Sequence, residues 1–365
     1  SYLEFEKNIK VLEEELEKLK DPFNKEGLTE VNTDRITQIQ NEINKKLQST
    51  YQNLNEWQRT QVARHENRPK AKFFIQNLFS NFINLSGDRH FGEDKAVLAG
   101  FATIEGKSVL VIGQEKGEDL DSRLERNFGM MRPEGYRKCI RLMNLANKFN
   151  IPVISLVDTP GAYPGIGAEQ RGQAEAIASS IECCVSLKVP IISVIIGEGG
   201  SGGAIALASA NKIIMLENAI YSVISPEGCA SILWRDPSKS LEAAKAMKLT
   251  AKELLKIGII DEIITEPNGG AHRNQLKIVL ETRKVLLKHL EEFASYSGDE
   301  ILEHRKNKFI QIGKQKSFIS FSNNQTSIFK ENSFFKIFKE KYLNKKNILF
   351  SIFILFLGIF LFFIS

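Results

Sequence analysis

Five glycines fall within seven residues at Gly197-Glu198-Gly199-Gly200-Ser201-Gly202-Gly203, with Ala204 next. The run follows a continuous apolar stretch, Val189 to Ile196, and opens a small-residue segment, Ala204 to Ala210. That order predicts a buried strand, a glycine turn and a helix. Such a turn leaves backbone N–H groups unpaired at a helix N-terminus, where they bind anions or hold a developing oxyanion. Close packing of helix on strand alone would need fewer glycines.

Three chemistries fit this loop. Gly197-x-Gly199-x-x-Gly202 matches a dinucleotide fingerprint, and Glu217 lies 20 residues beyond Gly197. Gly199-x-Ser201-x-Gly203 matches a nucleophile elbow, with Asp236, Asp261, His272 and His289 as candidate triad partners. The third is an oxyanion hole made of backbone alone. A Walker phosphate loop is excluded, because no Lys-Ser or Lys-Thr follows the glycines.

The elements that must position this loop can be read along the chain. Val153 to Val157 is a buried strand ending in Asp158-Thr159-Pro160-Gly161-Ala162-Tyr163-Pro164-Gly165. A helix over 169–187, a strand over 191–196 and the glycine loop follow. Strand, glycine loop and helix thus occur twice in succession. This alternation predicts a mostly parallel sheet covered on both faces. Right-handed crossovers then bring both glycine loops to the same edge. Upstream, 96–104 and 107–113 read as a hairpin turning at Glu105-Gly106, and 134–149 as a helix. Downstream, 212–216, 219–224 and 259–264 read as strands, while 251–255 and the segment from Leu241 read as helical.

Phe5, Ile9, Leu12, Leu16 and Leu19 form a heptad-like stripe that Asp21-Pro22 stops. Thr33-Asp34 caps a second helix with Ile36, Ile39, Ile43 and Leu47 on one face. Together they predict a helical hairpin over the first 70 residues that packs on the body or on a partner chain. Arg59, Arg64, His65 and Arg68 precede Pro69 and read as a solvated basic face or an anion-docking surface.

The 365 residues carry a formal charge of +5, unevenly placed. Residues 301–347 hold 11 Lys+Arg against 3 Asp+Glu, whereas the other charged part of the chain is mildly acidic at −3. An acidic body argues against nucleic acid as a partner. Cys139, Cys183, Cys184 and Cys229 form no C-x-x-C pair, so no zinc ribbon or other metal site is expected here. Adjacent Cys183 and Cys184 read as core residues, and a reducing cytoplasm is the expected location. Thirteen of the 24 Phe lie after position 308. Residues 317–347 read as a basic linker. The 17 uncharged residues from Ile348 to Ile364 read as a membrane anchor or as an extension without a selected role.

Several segments together resemble the carboxyltransferase alpha subunit of bacterial and plastid acetyl-coenzyme A carboxylase. They are Val62-Ala63-Arg64-His65 with Arg68-Pro69, Gly87-Asp88-Arg89 with Phe91, and Arg126-Asn127-Phe128-Gly129-Met130 with Pro133-Glu134-Gly135-Tyr136-Arg137-Lys138. Asp158 to Gly165, Gly197 to Ala204, Tyr221 to Trp234 and Gly269-Gly270-Ala271-His272-Arg273-Asn274 complete the set. The match runs to about Gly313 and leaves the tail uncovered.

The resemblance implies an α/β crotonase-type fold of repeated ββα units over 71–316. It implies transfer of a carboxyl group from carboxybiotin, carried on a separate biotin carboxyl carrier protein, to acetyl-coenzyme A. It also implies a zinc-bearing beta subunit in an alpha2–beta2 assembly, a biotin carboxylase that recharges the carrier, and no covalent cofactor in this chain. By the same analogy the N–H donors for the biotin oxyanion lie among Gly199, Gly200, Gly202 and Gly203. Gly161, Ala162 and Tyr163 line the carboxybiotin pocket, and Ser225, Pro226 and Glu227 shape it. Arg64, Arg89 and Arg137 are candidate anion contacts or structural ion pairs. The rival readings are a Ser201 hydrolase, an NAD-binding dehydrogenase and a membrane-tethered scaffold without catalysis.

Overall fold

The structure, a computed structural model, describes residues 2–21 and 33–314. Among these, eight strands form one sheet: β1 (Ser80–Asn84), β2 (Val97–Ile104), β3 (Lys107–Gln114), β4 (Val153–Thr159), β5 (Ile191–Gly200), β6 (Lys212–Leu216), β7 (Ile220–Ser222) and β8 (Glu262–Ile264). The order is β1-β2-β3-β4-β5-β6-β8, with β7 on β5. β1 to β3 pair antiparallel, and β3 through β8 pair parallel. The predicted hairpin forms, with Glu105 and Gly106 both at positive φ, as a two-residue hairpin turn requires.

β4 and β5 are adjacent, in register from Val153↔Ile191 to Val157↔Ile195, and buried along their whole length. Both faces are covered, which is why their sequences show no polar alternation. The helices Pro133–Lys148, Gln173–Ser186 and Gln275–Glu292 contribute Tyr136, Leu142, Ala176, Cys184, Ile278 and Leu286 to the surrounding core.

Four expectations are corrected. The helix expected over 169–187 is two, Ile166–Gln170 and Gln173–Ser186, because Gly172 adopts φ 80° between them. The glycine turn is largely strand: β5 runs to Gly200, and β7 pairs with its last residues, Gly199 with Tyr221 and Gly200 with Ser222. The strands near 219–224 and 259–264 shorten to β7 and β8. The basic segment before Pro69 is not a solvated face, since Arg59, His65 and Arg68 are buried.

The two N-terminal helices, Lys7–Lys20 and Thr33–Gln52, build their own apolar cluster from Ile9, Ile39, Ile43 and Leu47, closed by Tyr51, Leu54 and Val62. Arg273 ties this hairpin to the body through Glu6 at 3.1 Å and Glu13 at 2.6 Å. Glu6 is fully buried and also accepts the Tyr51 hydroxyl at 3.0 Å. The expected linker at 317–347 and apolar segment at 348–364 lie outside the described residues.

Candidate functional site

The carboxyl ends of β4 and β5 place the two glycine segments against each other. A Cβ added at Gly203 would lie 2.7 Å from the carbonyl carbon of Gly161 and 3.0 Å from the Ala162 nitrogen. One at Gly200 would lie 2.2 Å from the Pro160 oxygen. Glycine is required here because two backbones touch. Gly199 is constrained by side chains, its Cβ position lying 2.9 Å from the Tyr221 ring. At Gly202 the nearest atom is Ile177 Cγ2 at 3.4 Å, an ordinary contact.

The helix Ser201–Ala208 leaves this junction surrounded by core, and its two ends differ. At the C-terminal end the Leu207 carbonyl accepts the hydroxyls of Ser155 at 2.9 Å and Ser193 at 2.7 Å, and the Ala206 carbonyl accepts Ser180 at 2.7 Å. At the N-terminal end Gly200 is the cap residue and supplies no side-chain acceptor. The amides of Ser201, Gly202 and Gly203 therefore carry the orphan donors and the positive end of the helix dipole. Gln114 fixes this end: its Nε2 donates to the Gly203 carbonyl at 2.7 Å, and its Oε1 accepts from the Asp158 amide at 3.2 Å.

Beneath the glycines runs a chain of ion pairs. Lys116 bridges Asp158 at 2.8 Å and Glu198 at 2.7 Å. Arg64 bridges Glu198 at 2.6 Å and Glu227 at 2.5 Å. Burial alone would push the Glu198 carboxyl up, but Lys116 and Arg64 outweigh it and hold it down at about 2. With its folded pKa below the unfolded one, Glu198 contributes stability that is complete above about pH 4.5 and lost as pH falls toward 2. Lys116→Met removes its larger partner and raises the folded pKa, so the variant should lose melting temperature near neutral pH and show a shallower acid limb, the gap to the wild type closing as pH falls below about 4.5. An acid limb identical to that of the wild type would contradict this role for Lys116.

Two cavities flank the helix start. A polar one of about 240 Å³ is lined by Arg64, Lys116, Asp158, Pro160 and Glu198 among others. An apolar groove of about 720 Å³ includes Ser201, Gly202, Ile205, Tyr221, Val223 and Met247. The groove was not legible in sequence. Its wall also takes in Phe309 and Ile312, and apolar residues this far apart carry no local pattern.

The other candidate residues are placed as follows. Gly161 and Ala162 touch the backbone at Gly203, but neither lines the groove. Tyr163 is half-buried, with the Arg132 guanidinium 4.8 Å over its ring and its carbonyl accepting from Gln173 at 2.9 Å. Ser225 caps the helix Pro226–Trp234 by accepting from the Gly228 amide, with Pro226 in the first turn. Glu227 meets Arg64. Arg137 pairs with Asp88 at 2.8 Å, and Arg89 stands on the same loop as Asp88, away from the glycine junction.

A Ser-His-Asp arrangement is not assembled. Both nitrogens of His289 are engaged, by Glu292 at 2.9 Å and Glu262 at 2.7 Å. His272 stacks on His65 with centroids 3.8 Å apart. Burial, the second imidazole and Arg68 push its pKa down to about 3. Asp261 accepts from the Ile213 amide, and Asp236 accepts from the Ser238 amide. The dinucleotide reading fails as well. Gly197 and Gly199 lie inside β5, and a Cβ at Gly197 would meet the Asp158 carboxylate at 2.4 Å. These glycines make room for side chains, not for a pyrophosphate. Among the described residues, Glu6, His65 and His272 bring ligand-type atoms within 4.8 Å of one another. Parallel stacked imidazoles aim their in-plane lone pairs along separate planes, which does not suit a shared ion.

Comparison with known proteins bears on the family and the fold. Residues 2–313 match the family described as acetyl co-enzyme A carboxylase carboxyltransferase-like. The chain is 63% identical over 365 residues to the acetyl-coenzyme A carboxylase carboxyl transferase subunit alpha of Pelagibacter ubique, covering 99% of each. It is 54% identical over 314 residues to the protein of that name from Zymomonas mobilis, covering 86% of this chain and 99% of the relative. The first alignment takes in most of the tail beyond residue 314. Among solved structures, transcarboxylase 12S has a TM-score of 0.52 at 20% identity, covering 64% of this chain and 44% of that one. A Pseudomonas malonate decarboxylase hetero-tetramer in complex with coenzyme A has a TM-score of 0.51 at 15% identity, covering 62% and 88%. At these identities the likeness is one of fold, that of the crotonase-type carboxyltransferases.

Proposed function

This chain belongs to the acetyl-coenzyme A carboxylase carboxyltransferase family as an alpha subunit, and from that premise we propose how its residues serve the transfer of a carboxyl group from carboxybiotin to acetyl-coenzyme A. The uncapped amide end of the helix Ser201–Ala208, held against the Gly161 backbone, is the observation that supports the reading most.

When the N–CO₂ bond of carboxybiotin breaks, its electron pair stays on the ureido group and negative charge gathers on the ureido oxygen. That anion takes a proton from the methyl carbon of acetyl-coenzyme A. The resulting enolate carbon forms the new bond to carbon dioxide, giving malonyl-coenzyme A. No protein base is required. The protein's task is a fixed set of N–H donors in a closed cleft. We assign the ureido oxygen to the amides of Gly202 and Gly203. Gly199 and Gly200, as the last residues of β5, align the helix start. Gly161, Ala162 and Tyr163 close one side of the carboxybiotin pocket, and Ser225, Pro226 and Glu227 hold the other through Arg64.

The remaining parts of the reading are the carrier-borne biotin, the zinc-bearing beta subunit in an alpha2–beta2 assembly, the biotin carboxylase and the cytoplasmic setting. They rest on the family. No helix among the described residues is long and apolar enough to cross a membrane. Membrane association is assigned to residues 348–364 alone, from their composition.

Reconstitution tests the reading. Malonyl-coenzyme A decarboxylation dependent on a soluble biotin derivative is expected when this chain and a zinc-ribbon beta subunit are both present, and not with either alone. A folded complex without biotin-dependent turnover would overturn it.

A further inference from the structure

Away from the glycine junction, the loop from Gly87 to Gly92 and the helix Pro133–Lys148 enclose a cavity of about 290 Å³. It is lined by Asp88, Arg89, His90, Arg137, Ile140 and Arg141. The lining thus carries three guanidiniums and one carboxylate, already spent; Glu134 Oε2 lies outside it, 3.8 Å from Arg137 Nη2. Asp88 Oδ1 accepts the amides of His90, Phe91 and Gly92 at 2.8–3.0 Å, and Oδ2 accepts Arg137 Nε at 2.8 Å. Burial would raise the Asp88 carboxyl, but the three amides and Arg137 hold it far below its usual range, so its charge is permanent and fully committed.

Two of the arginines keep donors in hand. Arg141 gives Nη2 to the carbonyls of Ser86 and Gly87 at 3.3 and 3.0 Å, while its Nε is buried without a partner among the described residues. A buried charged donor left unpaired is costly, and the guanidinium that carries it lines the cavity. Arg89 sits at φ 66°, a backbone conformation that disfavours a side-chain-bearing residue, and the loop holds it there at the cavity.

We propose that this cavity binds a phosphate dianion. Arg89 and Arg141 have no carboxylate partner among the described residues, which leaves two positive charges for a doubly charged group, and guanidinium forks fit phosphate oxygens in pairs. Beside the cavity, Phe91 is 65% exposed, with the Arg171 guanidinium 4.2 Å over its ring. Its exposed area offers a stacking surface for a base, which favours a nucleotide-borne phosphate over the free ion.

Calorimetric titration of the full-length chain with inorganic phosphate, coenzyme A and 3′-dephospho-coenzyme A tests this. The variants are Arg89→Gly and Arg141→Gln. Arg89→Gly relaxes the backbone at φ 66°, so its melting temperature should not fall. Phosphate affinity should drop at least tenfold in each variant. Coenzyme A binding at least tenfold tighter than its dephospho form, with the same sensitivity to Arg89, assigns the site to a nucleotide 3′-phosphate. Equal binding of the two, with phosphate still sensitive to Arg89, assigns it to free phosphate. No phosphate binding, or binding unchanged in both variants, overturns the proposal. The coenzyme A arm rests on the carboxyl-transfer reading above, while the phosphate arm does not, so the two can fail separately.

Discussion

Gly203→Ala is expected to lower carboxyl transfer by roughly 10²–10³-fold, the range seen when one oxyanion donor is lost. The reason is steric and local. The new methyl would lie 2.7 Å from the Gly161 carbonyl carbon and 2.8 Å from its oxygen, both of them backbone atoms. Neither can rotate away, so the two segments must part. The amides then leave the position where charge develops, and catalysis falls steeply with such displacement. Gly202→Ala is the matched control. Its methyl meets only Ile177 at 3.4 Å, and the amide stays, so turnover should remain within a few-fold of wild type. Biotin-dependent decarboxylation by both variants, with melting curves as the folding check, decides the matter. Equal losses would contradict the assignment. Gly200→Val is a poorer probe, because a side chain there strikes the Pro160 carbonyl and disturbs the fold as well as the site.

The second large effect concerns stability. Arg68→Met should destabilise the chain by about 3–5 kcal/mol near neutral pH, the cost of stranding a buried partner charge. Arg68 and Glu266 are both buried and form a two-pronged pair at 2.5 and 3.2 Å. Glu266 also accepts the amides of Asn218 and Ala271, which joins β6 to the loop after β8, and Arg68 Nε donates to the Ile196 carbonyl on β5. The pH dependence has opposite signs in the two proteins. In the wild type, burial would raise the Glu266 carboxyl but Arg68 outweighs it, so its folded pKa lies below 4.5 and its contribution is lost as pH falls. Without Arg68, burial dominates and the folded pKa rises, so acid partly relieves the variant. Urea denaturation at pH 7 and pH 5.5 should show the gap between the proteins narrowing at the lower pH. A constant gap would contradict the charge argument.

How much of this could be read from the chain depended on how local each signal was. β4 and β5 announce themselves as continuous apolar runs, and the handedness of crossovers places their ends side by side. Their meeting at Gly161 and Gly203 is therefore a consequence of topology. The extension of β5 through four residues to Gly200 was hidden, since glycine favours turns in sequence statistics while here it admits the Asp158 carboxylate, the Tyr221 ring and the Pro160 carbonyl. Gly172 hid inside a helical pattern for a related reason: only its φ of 80° marks the break. The burial of Arg59 and Arg68 was invisible because their partners, Asn218 and Glu266, lie more than 150 residues away. Local composition reports charge, and charge next to proline reads as surface. The apolar groove failed on the same count.

Ser201 separates the two ways the chemistry at this junction can be done, by backbone or by side chain. It stands exposed at φ 50°, the position and strain that a nucleophile would have. Ser201→Gly removes the hydroxyl, keeps the amide and relieves the strain. The decisive measurement is the rate of biotin-dependent malonyl-coenzyme A decarboxylation by this variant in complex with its beta partner. A rate within about threefold of wild type, with a melting temperature at or above it, is the result expected if backbone amides hold the oxyanion. A loss of about 10⁴-fold in a folded complex, as when a nucleophile is removed, would contradict it.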